Sequence, residues 1–435
     1  MCAWVLLLFG VVAAVPALSQ VASEASGGTS DDSQMMTPPP VSSQSYPTEV
    51  GAEVRSNYLR AGLSFATAYI DNMYAGSGNP IAETTYSLLP TIAYDQVRPR
   101  QHLSFVYSPG FTFYQPSSVL NEVDESLNAS YQYRLTEHVS INAGDVFQQS
   151  STAYAISNTV SGSPPPFTPG LVAPFTERLS NTANVQISYQ FSPLGMIGAS
   201  GMLSKLNYPK SSESTGLFDS DQSGGSAFYN RRLNATQYAG ASYRYSKIVD
   251  HPDSGSSETQ THSISAFYTI YPMHNLSISV SGGPQYYSVN QTGVPASGSW
   301  GPLVSASMGW QGSHTSFAAS YSREVTSGGG LLGAYDSNTA NASAHWQMSR
   351  ALIVGTSANY SINKSVTPGL NISRETGGHT ISGSATAGYT ITQRISAQFE
   401  YDRVHESYSG IPAISPNSDR EMISLNWQFT RPLGR

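Results

Sequence analysis

Residues 258–290 constrain the fold more than any other stretch of the chain. They read ETQTHSISAFYTIYP, then a polar turn MHN, then LSISVSGGPQYYSVN. On the first arm Ile264, Ala266, Tyr268 and Ile270 alternate with Ser263, Ser265, Phe267 and Thr269. On the second, Leu276, Ile278 and Val280 alternate with Ser277, Ser279 and Ser281. Successive strand side chains point to opposite faces, so this pattern predicts two long strands with one apolar and one polar face, joined as a hairpin. The same unit recurs along most of the chain, with aromatics beside the short turns. That recurrence predicts an all-β fold, a transmembrane antiparallel up-and-down β-barrel.

Composition supports this choice over a soluble multidomain chain. Of 435 residues only 11% are charged, against roughly 25% in typical soluble proteins. Tyrosine alone contributes 27 residues and glycine 38. A barrel accounts for both, because one face of every strand excludes charge while the other takes small neutral polar groups. The formal charge of −7 leaves no basic footprint, so no nucleic-acid partner is expected. The single cysteine is Cys2, inside the apolar leader, which removes disulfides and cysteine metal sites from the mature chain.

Taken in order, the chain divides into three parts. Residues 1–19 hold an apolar run ending in Ala17-Leu18-Ser19, too short to span a bilayer and consistent with a cleaved secretory signal. No Lys or Arg precedes that run, which departs from the usual signal. Residues 20–55, including TPPPVSSQSYP, read as a disordered periplasmic linker. Residues 56–435 carry about 18 candidate strands. Short connections (136–138, 234–236, 273–275, 312–314, 392–394) alternate with long ones (155–175, 207–224, 250–257, 327–334, 409–418). With the N-terminus in the periplasm, every short turn falls inside and every long loop outside, as in bacterial barrels. The eighth segment, 225–233, alternates poorly. Pro90, Pro109 and Pro284 interrupt strands and predict kinks or bulges, because proline donates nothing to a ladder.

The cost of charge in lipid sets the facing. An Arg or Lys on the lipid side at mid-bilayer costs about 2–4 kcal/mol, so the polar phase is expected to turn inward. Arg60, Arg134, Arg244, Glu400 and Asp402 all fall on that phase and are expected to line the lumen. Leu127, Ala129, Tyr131, Tyr133 and Leu135 fall on the opposite phase, as do Val185, Ile187, Tyr189 and Phe191. Aromatics near the short turns (Tyr133, Tyr189, Phe191, Tyr271, Trp310, Trp346, Tyr389, Trp427 and Phe429) are expected to form a periplasmic girdle.

The last strand, SLNWQFTRPLGR, alternates Ile423, Leu425, Trp427 and Phe429 with Ser424, Asn426 and Gln428. It resembles the C-terminal aromatic signal by which the outer-membrane insertion machinery recognises barrels, although six residues follow Phe429. The region from about Asn57 onward resembles the β-barrel porin families of Gram-negative bacteria, including barrels from exopolysaccharide loci. The resemblance implies outer-membrane placement among lipid and lipopolysaccharide.

No nucleophile elbow, P-loop or HExxH stands in the sequence, and no two histidines share i, i+4 spacing. His262 and Ser263 are strand neighbours and face opposite sides, so they make no dyad. Asp219-Ser220-Asp221 supplies too few carboxylates for a calcium loop. No enzyme, cofactor or metal is expected. A barrel of this strand number encloses water, as porins of 16–18 strands do, and the expected function is passive diffusion of small polar solutes. The alternative is an accessory barrel for exopolysaccharide export or surface attachment. For 155–175, containing SGSPPPFTPG, two readings stay open: an inward constriction or a cap over the mouth.

Overall fold

A computed structural model describes residues 57–73, 80–118, 121–150, 177–209, 218–252, 255–293, 295–328, 331–366, 377–408 and 417–432. The described residues form eighteen strands. The first six are β1 (Tyr58–Ile70), β2 (Glu83–Arg98), β3 (Gln101–Gln115), β4 (Glu122–Arg134), β5 (Val139–Ser150) and β6 (Arg178–Ser192). Next come β7 (Gly195–Asn207), β8 (Asp219–Asn234), β9 (Gln237–His251), β10 (Ser257–Met273), β11 (Leu276–Gln291) and β12 (Ser297–Gln311). The last six are β13 (Thr315–Gly328), β14 (Leu331–Gln347), β15 (Leu352–Ser365), β16 (Gly377–Thr392), β17 (Ile395–Tyr408) and β18 (Asn417–Pro432). Each strand pairs antiparallel with its sequence neighbour, and β1 pairs β18 from Tyr58↔Pro432 to Ile70↔Arg420. The sheet is therefore a closed up-and-down barrel with no free edge strand.

Closure separates two environments. On the convex side the side chains splay apart; on the concave side they crowd. In β18, Ile423, Leu425, Trp427 and Phe429 are exposed, whereas Arg420, Met422 and Ser424 are buried. In β10, Ile264 and Tyr268 are exposed while Ser257, Thr259, Thr261, Ser263 and Ser265 are buried. The exposed row is the apolar one, the inverse of a soluble protein.

The inner row is held by pairs of hydroxyls at registered positions. Ser140 meets Ser188 at 2.6 Å, Ser200 meets Ser226 at 2.7 Å, and Thr269 meets Ser279 at 2.8 Å. Ser281–Ser305 and Ser357–Ser384 repeat the contact at 2.8 Å. A hydroxyl both donates and accepts, so two of them satisfy each other without a charge. This explains the density of serine and threonine on the polar phase. On the outer row of β5, Asp145 stands between Ala129 and Ala183 and accepts a bond from Asn181 Nδ2 at 3.2 Å.

Some sequence expectations change. The eighth strand is longer than 225–233: it begins at Asp219, so Asp219-Ser220-Asp221 lies in a strand and not in a loop. Residues 327–334 are not a long loop either, since β13 runs to Gly328 and β14 starts at Leu331. Pro90 and Pro109 make no bulge. The β2–β3 ladder stops at Leu88↔Phe111 and resumes at Ile92↔Tyr107 in the same register, so the two prolines face each other across a gap. Neither has an N–H to offer, and placing both at one rung confines the loss to three rungs centred on it.

Pro284 lies in a two-rung gap, where the β10–β11 ladder skips from Ser263↔Gln285 to Ala266↔Gly282. Beside it a Cβ on Gly283 would overlap the Ile264 carbonyl oxygen, so the strands approach as only glycine permits. Gly283→Ala should destabilise the barrel by about 1–3 kcal/mol, the usual range for overpacking. Urea unfolding in detergent or lipid should show a lowered midpoint; an unchanged midpoint would refute the close approach.

Candidate functional site: the lumen and its pinch

Inside the barrel the wall is not evenly spaced. The β12–β13 ladder runs from Gln311↔Ser316 up to Val304↔Arg323 and ends there. Beyond that rung β13 follows β14, through Glu324↔Ser337 and Thr326↔Tyr335. The outer part of this hairpin leans across the lumen. Val325 N donates to Gln285 Oε1 of β11 at 2.9 Å. Glu324 Oε2 lies 3.7 Å from Arg244 Nη1 of β9, although β10, β11 and β12 separate the two strands in the wall. Ala334 and Tyr335 at the start of β14 are buried, and β14 comes close to β10. The buried row of β10 from Ser257 to Ser265 is the surface this hairpin approaches. The result is a narrowing at β9–β14 built from the wall itself. Residues 155–175 lie outside the described residues.

Further round the wall, three strands beyond β14, a charged cluster stands on β17 and β18. Arg420 Nη2 donates to Glu400 Oε1 and to Asp402 Oδ2, both at 2.6 Å, and Arg420 Nε donates to Asp402 Oδ2 at 2.9 Å. All three residues are buried. Register explains the grouping, because Asp402 pairs Arg420 directly and Glu400 sits one same-face step along. One guanidinium thus holds two carboxylates, through charge-assisted bonds that are among the strongest a protein makes.

A third feature lies near the short turns of β7–β10. Met196 and Tyr238 form a buried apolar pair, with Phe228 and Tyr271 packed against it. Tyr271 meets Tyr238 edge-on at 5.9 Å, and Arg232 stands over the Tyr238 ring at 5.8 Å. Phe228 and Phe267 lie over Gly198 and Gly240, their register partners, where an added Cβ would collide with the ring.

The residues singled out from sequence distribute as follows. Glu400 and Asp402 come together around Arg420, a partner sequence reading missed. Arg244 meets Glu324. Arg60 stands apart from both, 5.0 Å from the Tyr58 ring. Arg134 is exposed, on the phase of Gln132 and directly opposite Ser140, whose hydroxyl meets Ser188. Tyr189, Phe191, Trp310, Trp346, Tyr389, Trp427 and Phe429 are exposed, and Tyr133 stacks on Tyr131 at 6.2 Å. Tyr271 departs from this set. It shares the phase of Thr269, which is buried, and joins the internal cluster with Tyr238 and Met196. Its place in the alternation was the available signal, overridden by its nearness to the turn. His262 approaches Tyr243 Oη at 2.8 Å, whereas Ser263 is buried on the other face.

Fold and site together define a closed, hydroxyl-lined barrel narrowed by its own wall. No family model matches the chain. No curated protein matches it either. In structure it is similar to OccAB4 of Acinetobacter baumannii, at 8% identity and a TM-score of 0.45, over 87% of this chain and 99% of that one. It is also similar to OccK2 (OpdF) of Pseudomonas aeruginosa in complex with glucuronate, at 10% identity and a TM-score of 0.43, over 86% and 98% of the two chains. The ferric citrate transporter FecA in its unliganded form matches at 10% identity and a TM-score of 0.46, over 85% of this chain and 64% of that one.

Proposed function

We propose that the chain is a porin-like channel of the bacterial outer membrane, through which small polar solutes diffuse passively. One observation carries this reading: a closed eighteen-stranded wall bears its apolar row outward and its Ser, Thr, Asn and Gln row inward. Such a wall is stable in hydrocarbon, because every strand has a partner on both sides over its membrane-spanning part. Its inner row suits water and neutral, hydroxyl-bearing solutes. Arg60, Arg134, Arg244, Glu400 and Asp402 line the passage. The aromatics Tyr133, Tyr189, Phe191, Trp310, Trp346, Tyr389, Trp427 and Phe429 form the periplasmic belt. Residues 1–19 direct export, 20–55 remain as a periplasmic linker, and the last strand is read by the insertion machinery.

Among the charges that line the passage, Arg244 is paired with Glu324, and Arg420 holds Glu400 and Asp402. Paired charges attract passing ions weakly, so selectivity by ionic sign is modest and the width at β9–β14 governs what passes. Purified protein added to a planar bilayer should give stepwise conductance with weak cation–anion preference. Membranes that stay silent at protein loads giving steps with a known porin would overturn the channel reading.

A further inference from the structure

The same departure of β13 that narrows the lumen opens the wall behind it. Residues 297–303 of β12 remain paired to β11, from Val289↔Ser297 to Gly283↔Leu303. On the other edge their ladder to β13 ends at Val304↔Arg323. From Glu324 onward β13 is carried away with β14, held at a distance by Gln285 and Arg244. Between the outer halves of β12 and β13 there is a slit, with Leu303 and Glu324 at its foot.

Its height follows from what surrounds it. Backbone groups without a partner are not tolerated in hydrocarbon, so an edge left open by the fold belongs to a wet layer. Two features mark that layer. Arg323 and Asp336 form an ion pair at 2.7 Å at the foot of the slit, on the exposed phase shared with Tyr321. Above it Trp300 is 69% exposed and rests against Tyr286 at 5.2 Å, the placement of an interfacial aromatic. Pro302 on the open edge has no N–H to leave bare, and an edge is where a strand accepts proline.

We propose that this slit is a side entrance to the lumen, a water-filled opening at the outer membrane interface through which small polar solutes enter from the headgroup layer. It rests on the channel reading given above. Gln285 and the Arg244–Glu324 contact act as the props that keep it open. They hold β13 inward, and releasing them lets β13 return to β12 and close the wall.

Paired cysteines test this, in a chain whose native Cys2 is replaced by serine. Continuing the register past Val304↔Arg323 would bring Gly301 opposite Thr326. Gly301 has room for a side chain. The control pair is Ser305 and Ser322, which face each other in the formed ladder. Under copper-phenanthroline oxidation Ser305→Cys/Ser322→Cys should cross-link readily, and Gly301→Cys/Thr326→Cys should not. Adding Gln285→Ala and Glu324→Ala should make the second pair cross-link about tenfold faster. Stapled by prolonged oxidation with Gln285 and Glu324 intact, the channel should lose about half its conductance and regain it with dithiothreitol, when the two props draw β13 inward again. Equal cross-linking of both pairs without the added substitutions would show a continuous wall and overturn the slit. Stapled and reduced channels of equal conductance would overturn its role as an entrance. Silence of the reduced channel would instead overturn the channel reading, while the cross-linking rates would still report whether the slit exists.

Discussion

Leu425→Arg should abolish stable insertion, whereas Asn426→Arg should insert and alter conductance. Leu425 is 50% exposed on β18, flanked in register by Phe65 of β1 and Ala397 of β17. A guanidinium there faces lipid within the apolar band, at a cost of about 2–4 kcal/mol near the bilayer midplane. The next residue points the other way. Asn426 pairs Ser64 and Ser396, and its Nδ2 donates to Ser424 Oγ at 3.4 Å, so an arginine there enters a polar, wet setting. The loss should be amplified by position, because β18 closes the barrel on β1. Heat-modifiable mobility of the membrane fraction measures it: Leu425→Arg should leave little folded band, and Asn426→Arg should keep most of it. Equal tolerance of both would refute the division of β18 into a lipid face and a lumen face.

Arg420→Met should be the most damaging single change inside the barrel. It removes the guanidinium that serves Glu400 and Asp402 together, and all three side chains are almost fully buried. Breaking a buried ion pair from one side costs about 3–5 kcal/mol, because the remaining charge loses both water and partner. Here two carboxylates are stranded side by side. The combination Arg420→Met/Glu400→Gln/Asp402→Asn removes the charges with the partner and should recover most of the loss. Urea midpoints for the two variants against the parent chain decide the matter. If Arg420→Met alone unfolds with the parent's midpoint, the cluster contributes nothing to stability. If the triple variant is as unstable as the single, packing of the arginine stem rather than charge is responsible.

Much of the wall was legible in the chain. Period-two alternation placed β10 and β11 and the two phases of β17 and β18, because the partition of each side chain between lipid and water is a local property. The misreadings also have local causes. Asp219 to Gly225 in β8 alternates weakly since its residues are all small or polar, leaving no apolar phase to read. Tyr271 lies as near its turn as the belt aromatics do, but its phase is that of Thr269. Its ring is large enough to close an internal cluster with Tyr238 that no spacing announces.

The number of strands, their hairpin order and the phase of each that meets hydrocarbon follow from the local pattern of residues. Tertiary structure alone decided which charges meet and where the passage narrows. Arg420 found Asp402 through the register of β17 on β18, and Glu324 found Arg244 across three intervening strands. The physical reason is range. Alternation reports the medium on each side of one strand, whereas register and the inward lean of β13–β14 arise only when closure brings distant segments of the wall face to face.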